Sequence, residues 1–215
     1  MNLQAKTILV EGGVSLKKAG ISRSKRMLDI TVAVMALLLL SPVFLVIAIS
    51  VSLSSSGPVL FKQKRSGLYG APFEIYKFRS MKVHDENGVV TQAKKNDERV
   101  TTVGRFIRRT SLDELPQFIN VLKGEMSLVG PRPHALSHDK YYGERIESYN
   151  CRFFVKPGIT GWAQINGSRG ETETLKKMED RIGLDYWYIK NWSLFLDIKI
   201  ILLTFFVVIK KNGAY

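Results

Sequence analysis

Residues 30–53 read ITVAVMALLLLSPVFLVIAISVSL, and no charged residue occurs from Ile30 to Phe61. As one helix these 24 residues would extend about 36 Å, enough to cross the ~30 Å hydrocarbon core of a bilayer. Ser41-Pro42 in mid-run argues against a straight crossing. Proline lacks the N–H that would bond four residues back, and its ring presses on that carbonyl, so the helix kinks or breaks there. The Ser41 hydroxyl can satisfy the freed carbonyl, which makes a break tolerable in lipid. Both flanks are basic: Lys17, Lys18, Arg23, Lys25 and Arg26 precede the run, and Lys62, Lys64 and Arg65 follow it. Basic flanks prefer the cytoplasm, and a straight crossing strands one of them outside. A helix–break–helix that dips into one leaflet keeps both inside, each half extending about 17 Å. This re-entrant form is favoured over a proline-kinked spanning helix.

Outward from that segment, the N-terminus lacks the early apolar core of a signal peptide. The chain of 215 residues suffices for one well-buried domain. Its 32 basic and 19 acidic residues give a formal charge of +13, which favours an anionic partner: nucleic acid, an anionic membrane surface or phosphorylated small molecules. A single cysteine, Cys151, excludes an intramolecular disulfide and reads as a small core residue. The expected organisation is a basic N-terminal segment (1–24), a re-entrant membrane helix (25–57) and a cytoplasmic catalytic domain (58–215). The fold class expected is mostly α with short β segments, closed by interfacial amphipathic helices.

VLFKQKR (59–65) and FEIYKFRSM (73–81) are β-branched and aromatic runs separated by the turn-rich SGLYGAP, as in a hairpin. Residues 84–99 are polar and read as a loop. Phe106, Ile107, Leu112, Leu115, Phe118, Ile119 and Leu122 recur at helical spacing, and Gly124 is a helix stop. Residues 134–150 and 171–191 read as helices. In the C-terminal WSLFLDIKIILLTFFVVIKK the apolar run Ile200–Ile209 is too short to span and predicts an interfacial or tucked helix, with Tyr186, Trp187, Tyr188 and Trp192 suited to the headgroup layer.

Ser111-Leu112-Asp113-Glu114 is an S-x-x-E sequence, whose ordinary meaning is a capping box with Ser111 as the cap. Pro116 complicates that reading, because it fits the first helical position better than the fifth. Either way, Asp113 and Glu114 fall within a turn of a helix N-terminus, which favours the ionised form. Arg105, Arg108 and Arg109 lie just upstream, and Arg132 sits between two prolines in Gly130-Pro131-Arg132-Pro133. Lys77 and Arg79 lie in the second β run. A guanidinium held rigid grips phosphate bidentately. Two carboxylates among arginines suit phosphoryl chemistry, in which one attacks phosphorus and the other holds a divalent metal.

On these residues the chain resembles the monotopic phosphoglycosyl transferases, the bacterial sugar transferase family that starts glycan assembly on undecaprenyl phosphate. The matching stretches are KRMLD (25–29), Ser41-Pro42, GPVLFKQKRSG (57–67), YKFRSM (76–81), RRTSLDELPQFINVLKGEMSLVGPRP (108–133), VKPGITGWAQINGSRGETET (155–174) and WSLFLDIKIILLT. The resemblance implies a ping-pong transfer of sugar-1-phosphate from a UDP-sugar to undecaprenyl phosphate at the cytoplasmic face of the bacterial inner membrane. It implies Asp113 as the nucleophile that expels UMP and Glu114 as the ligand of Mg²⁺ on the diphosphate. Arg108 and Arg132 match its phosphate-contacting arginines, with Lys77 and Arg79 as further candidates for the diphosphate or lipid phosphate. The ending INGSRGETET resembles the exopolysaccharide and capsule branch, so glucose-1-phosphate is the first donor expected, then galactose or an acetamido sugar. Many relatives in that branch carry an extra N-terminal membrane domain, and with roughly 24 mostly polar residues before the apolar run the expectation here is a catalytic-domain-only member. Arg169, in the Gly-rich turn, is a candidate nucleotide or sugar contact. Membrane lipid and a second copy of the chain are candidate partners; nucleic acid is not expected.

Several signals carry less. His134 and His138 are four apart but have no third zinc ligand at suitable spacing. Glu171, Glu173, Glu179 and Asp180 read as a solvated helix face. The competing class is a membrane-anchored basic binding protein without chemistry, which explains the charge and the apolar run but not Asp113-Glu114 beside a G-P-R-P arginine.

Overall fold

The computed structural model describes residues 22–82, 97–168, 170 and 174–210. Two apolar helices open it, α1 (Arg23–Leu39) and α2 (Ser41–Ser54), bent by 63° across Leu40. Among the described residues no single helix is long and apolar enough to cross a membrane. The cause of the bend is local. Pro42 cannot donate to Leu38 O, and the Ser41 hydroxyl donates to that carbonyl instead, at 2.8 Å. Around the bend Met35, Leu38, Leu39, Leu45 and Val46 are exposed.

The ends of this pair are anything but free. Ser22 caps α1, its hydroxyl accepting from Lys25 N. One turn on, Asp29 Oδ1 accepts from Ser127 Oγ at 3.0 Å and Leu128 N at 2.9 Å. Lys25, one of the basic residues that flank the apolar run, is buried and ion-paired with Asp197. The pairing has a physical cause: the base of α1 packs into the protein, and a buried ammonium needs a carboxylate partner.

The hairpin forms as expected, β1 (Leu60–Ser66) pairing antiparallel with β2 (Pro72–Phe78) in the register Leu60 to Phe78. Next come α3 (Thr102–Arg109), capped by Thr101 Oγ1 accepting from Gly104 N, and α4 (Gln117–Lys123). Gly124 ends α4 in the left-handed region, at φ 83°. The apolar residues at helical spacing across 106–122 fall on two helices, with a turn of 3₁₀ helix (Leu112–Glu114) between them. Ser111 adopts φ 59°, and its side chain does not cap the turn, so the expected capping box is absent. A left-handed serine halts α3, and Pro116 serves as the N-cap residue of α4.

Two short strands, β3 (Ser127–Val129) and β4 (Gly158–Thr160), pair in parallel. Their backbones touch, since a Cβ on Gly130 would lie 2.4 Å from Lys156 O and one on Gly158 would lie 2.1 Å from Gly130 N. Between these strands lie α5 (Leu136–Gly143) and a 3₁₀ segment (Glu147–Phe154), so the 134–150 region is only partly α-helical. The chain closes with α6 (Trp162–Ile165), α7 (Leu175–Lys190) and α8 (Leu194–Lys210). The main core brings Ala33 of α1, Ile75 of β2, Val121 of α4, Leu128 of β3, Ile189 of α7 and Ile200 of α8 together. Cys151 lies in a second cluster with Tyr149, Met178 and Ile182, its thiol pushed up to about 12 by burial. Along α8, Leu196 and Ile200 face the core while Leu202, Phe205 and Phe206 are exposed.

Candidate active site

The turn that interrupts the helix is also where the candidate residues gather. The 3₁₀ turn presents Asp113 and Glu114 beside the end of β2 and the G-P-R-P loop. Lys77 Nζ of β2 donates to Glu114 Oε1 at 2.8 Å. The Arg132 fork meets the same carboxylate from the other side, Nη2 to Oε1 at 2.5 Å and Nη1 to Oε2 at 3.1 Å. Burial alone would raise the Glu114 carboxyl, but the charges and hydrogen bonds of Arg132 and Lys77 outweigh it and hold it well below the usual carboxylate range.

Asp113 behaves oppositely. Burial and the charge of Glu114 push its carboxyl up to about 6, against the pull of Lys77, Arg132 and Arg108. Among the described residues nothing hydrogen-bonds to that carboxylate. The pair is thus divided into one carboxylate clamped and ionised and a neighbour that is partly buried and outside the clamp. A carboxylate outside such a clamp is a stronger nucleophile than a clamped one.

Several elements hold this arrangement. Asn120 of α4 accepts from Tyr76 N at 3.0 Å and donates to Glu74 O at 2.7 Å, tying β2 to α4 just after the Asp113–Glu114 turn. Arg152, 3 % exposed, donates through Nη2 to Arg132 O at 2.5 Å and to Asp185 Oδ2 at 3.2 Å. Its Nη1 meets His134 Nδ1 at 2.5 Å and the Tyr149 hydroxyl at 3.1 Å. Burial first, and then the charges of Arg152, Arg181, Arg65 and Arg132, hold the His134 imidazole well below its ordinary range, so it stays neutral. His134 is therefore an acceptor inside an arginine cluster that supports the G-P-R-P loop.

The sequence-predicted residues thus divide. Asp113, Glu114, Lys77 and Arg132 are brought together, with Arg108 close enough for its charge to act on Asp113. Arg79 is buried elsewhere: its guanidinium donates to Val51 O at 3.2 Å, Ser55 O at 2.6 Å and Pro58 O at 2.5 Å. It closes the C-terminal end of α2, whose last carbonyls have no intrahelical partner. Arg169 lies outside the described residues, although the neighbouring Gly170 O accepts from Arg181 Nη2 at 2.7 Å. Asn120, Arg152 and Asp185 escaped the sequence reading, since no local pattern marks a residue whose partners are distant. Lys25, Asp29 and Asp197 did leave a signal, being charges at the margins of apolar runs.

The residues fit a magnesium ion carried by a diphosphate. Such an ion takes one or two protein carboxylates, with phosphate and water completing its shell. Glu114 uses three of its roughly four lone-pair directions on Arg132 and Lys77, leaving one on Oε2, with Asp113 adjacent. Among the described residues no group of three or more His, Cys, Asp and Glu gathers, so an all-protein cage is not built there.

Comparison with known proteins places the chain among named relatives. A UDP-glucose:undecaprenyl-phosphate glucose-1-phosphate transferase of Escherichia coli strain K12 is 59 % identical over 198 residues, covering 92 % of this chain and 43 % of that protein. The protein of the same name from Caulobacter vibrioides is 47 % identical over 203 residues, covering 94 % and 76 %. A UDP-N-acetylgalactosamine-undecaprenyl-phosphate N-acetylgalactosaminephosphotransferase of Aeromonas hydrophila is 44 % identical over 190 residues, covering 88 % and 44 %. The chain spans about two fifths of the length of several of these relatives. With the bacterial sugar transferase model matching residues 21–211, the chain belongs to the bacterial sugar transferase family.

Proposed function

We propose that this protein transfers a sugar-1-phosphate, glucose-1-phosphate first, from a UDP-sugar to undecaprenyl phosphate by two displacements at Asp113. The observation that carries it is the division of the carboxylate pair: Glu114 clamped by Arg132 and Lys77, and Asp113 held free and raised to about 6. Relatives named for glucose-1-phosphate transfer favour glucose, and the relative named for N-acetylgalactosamine marks the second choice.

In the first displacement an Asp113 oxygen attacks the phosphorus that bears the sugar. A bond forms from carboxylate oxygen to phosphorus, and the bond to the bridging oxygen of the diphosphate breaks. UMP leaves with that electron pair. In the second, an oxygen of undecaprenyl phosphate attacks the same phosphorus and the Asp113 carboxylate departs, leaving undecaprenyl diphosphate-sugar. Neither step needs a proton. Arg132, Lys77 and Arg108 offset charge on the phosphates, and Glu114 fixes Arg132 and Lys77 in place. Glu114 would also hold Mg²⁺, which when bound neutralises the diphosphate and its leaving group.

The bent helix pair supports a re-entrant insertion with the site at the cytoplasmic membrane face. Its N-terminal end is tied to the catalytic body through Lys25, Asp29 and Arg26, and its C-terminal end through Arg79. With both ends on one body, the exposed apolar bend enters the lipid and returns.

The test is UMP release from a panel of UDP-sugars with Mg²⁺ and undecaprenyl phosphate, comparing the native chain with Asp113→Asn. Release from one donor, abolished in the variant while membrane association persists, is the expected result. Survival of turnover in Asp113→Asn would remove the nucleophile and with it the proposal.

A further inference from the structure

Arg65 lies at the end of β1, where the fold holds it against the G-P-R-P loop from two directions. Its backbone forms an antiparallel bridge with Ala135, just after that loop. Its guanidinium donates through Nη1 to Pro133 O at 3.4 Å and through Nη2 to Gln63 Oε1, and its Nε is buried with no hydrogen-bond partner among the described residues. No carboxylate among those residues forms an ion pair with it. Lys77 and Arg132, by contrast, meet Glu114, and Arg152 meets Asp185. Asp139 of α5 offsets part of the Arg65 charge, but its Oδ1 accepts from the Tyr149 hydroxyl at 2.7 Å. A guanidinium drawn partly out of water beside a second one, without its own carboxylate, costs stability. Burial first, and then the charge of Arg132, push Arg65 down to about 10, so it stays a cation at neutral pH.

Its position selects the anion it can serve. The charges that act on Asp113 are those of Glu114, Lys77, Arg132 and Arg108, whereas Arg65 interacts with Arg132, Asp139 and Glu114. Arg65 is thus one group further from the nucleophile, on the Arg132 side. A phosphorus under attack must sit against Asp113, so the reach of Arg65 falls on the phosphate next to it. The surroundings are polar as well: Gln63, the Pro133 carbonyl, Asp139 and His138, beside the exposed Ser137 and Lys140 of α5. They suit a water-soluble donor rather than a lipid.

We propose that Arg65 contacts the phosphate that leaves with the nucleotide, and so serves the donor half of the reaction only. The assignment rests on the two-displacement reading and adds to it a residue for the leaving group. As the bond from phosphorus to the bridging oxygen breaks, that oxygen keeps the electron pair and charge grows on the departing phosphate. A guanidinium fixed in advance by Pro133 and Gln63 stabilises that charge without reorganising. No proton moves, and in the acceptor step the nucleotide has gone.

UMP and uridine differ by this phosphate alone, so the two used as inhibitors of the donor half-reaction isolate the contact. In Arg65→Gln the advantage of UMP over uridine should fall at least ~10-fold, the scale of one charge-assisted hydrogen bond. Single-turnover UMP release should slow as well, with KM for undecaprenyl phosphate unchanged. An unaltered UMP advantage overturns the proposal. So does a raised KM for undecaprenyl phosphate with native UMP release, which would give Arg65 to the acceptor. If Arg65→Gln lowers the melting temperature, Arg65→Lys keeps a cation on β1 but not the fork, and the same inhibitors decide. A reduced UMP advantage upholds the contact and a native one overturns it. A native chain that releases no UMP from any UDP-sugar refutes the two-displacement reading instead. Calorimetric titration of UMP and uridine then tests Arg65 by itself. UMP binding at least ~10-fold weaker in Arg65→Gln, with uridine unchanged, upholds the contact; equal binding, or no UMP binding to the native chain, overturns it.

Discussion

Lys25 Nζ lies 2.7 Å from Asp197 Oδ2, joining the first turn of α1 to α8 across 172 positions of sequence. The pair is fully enclosed. Lys25 also donates to Val129 O at 2.9 Å, and Asp197 accepts from the Tyr188 hydroxyl at 2.7 Å and Trp192 Nε1 at 3.0 Å. The bent helix pair is therefore tied at its base to the body that carries Asp113 and Glu114.

Removing one member of this pair leaves a buried charge without its counter-ion. Lys25→Met alone or Asp197→Asn alone is expected to destabilise the fold by about 3–5 kcal/mol, while Lys25→Met with Asp197→Leu recovers most of it. Thermal or denaturant unfolding of the three variants in one detergent measures this. Additive losses in the double variant would show that the two residues do not act as a pair.

Asp113 must be ionised to attack phosphorus, and its carboxyl is raised to about 6. The rate of UMP release should accordingly fall about tenfold per unit as pH drops below ~6. Stability runs the other way. A raised carboxyl binds its proton more tightly folded than unfolded, so its charged form penalises the fold at neutral pH, and the penalty fades as pH falls from ~6 to ~4. Asp113→Asn should thus be inactive yet more stable at pH 7 by about 1–3 kcal/mol, an advantage that shrinks in acid. An inactive variant that is also less stable at pH 7 would contradict this assignment.

Arg132 meets Glu114 through two nitrogens, a geometry that lysine cannot reproduce. Arg132→Lys is expected to lower turnover by about 10²–10³-fold while leaving the melting temperature within a few degrees. Steady-state kinetics beside a melt decides it. Near-native turnover would reduce Arg132 to a point charge.

Arg152 acts through Arg132, whose carbonyl it holds while pairing with Asp185. Loosening that loop weakens the pull of Arg132 on Asp113 and raises the Asp113 carboxyl further. Arg152→Lys should therefore slow turnover and also move the acid limb of the pH profile upward. A slower enzyme with an unmoved limb would make Arg152 structural only.

For the topology, cysteines placed at the exposed Ser24 and Lys64 should both react with a membrane-impermeant thiol reagent only from the cytoplasmic side, while buried Cys151 stays silent. Labelling of either from the opposite side would exclude re-entrant insertion. Lys25 itself is unsuited to this experiment because of its pairing with Asp197.

Much of this protein is legible along the chain because its causes act between near neighbours. The break at Ser41-Pro42 follows from one missing N–H and one nearby hydroxyl. The hairpin across residues 60–78 and the stop at Gly124 follow from strand propensity and a left-handed glycine. The juxtaposition of Asp113, Glu114 and Arg132 was suggested by residue type and a rigid G-P-R-P frame. Other features depend on partners far away in sequence. Ser111 reads locally as a helix cap, yet it turns left-handed because α3 must end there for Glu114 to meet both Lys77 and Arg132. Arg79 reads as a phosphate ligand, yet it closes α2, because only the folded chain brings those open carbonyls to it. Lys25 reads as one of several flanking cations, and nothing within the first turn of α1 foretells a carboxylate from α8. Sequence alone determined which segments are apolar and where the chain bends. Tertiary structure decided which charges are buried together, because a buried charge is stable only beside a partner that the fold supplies.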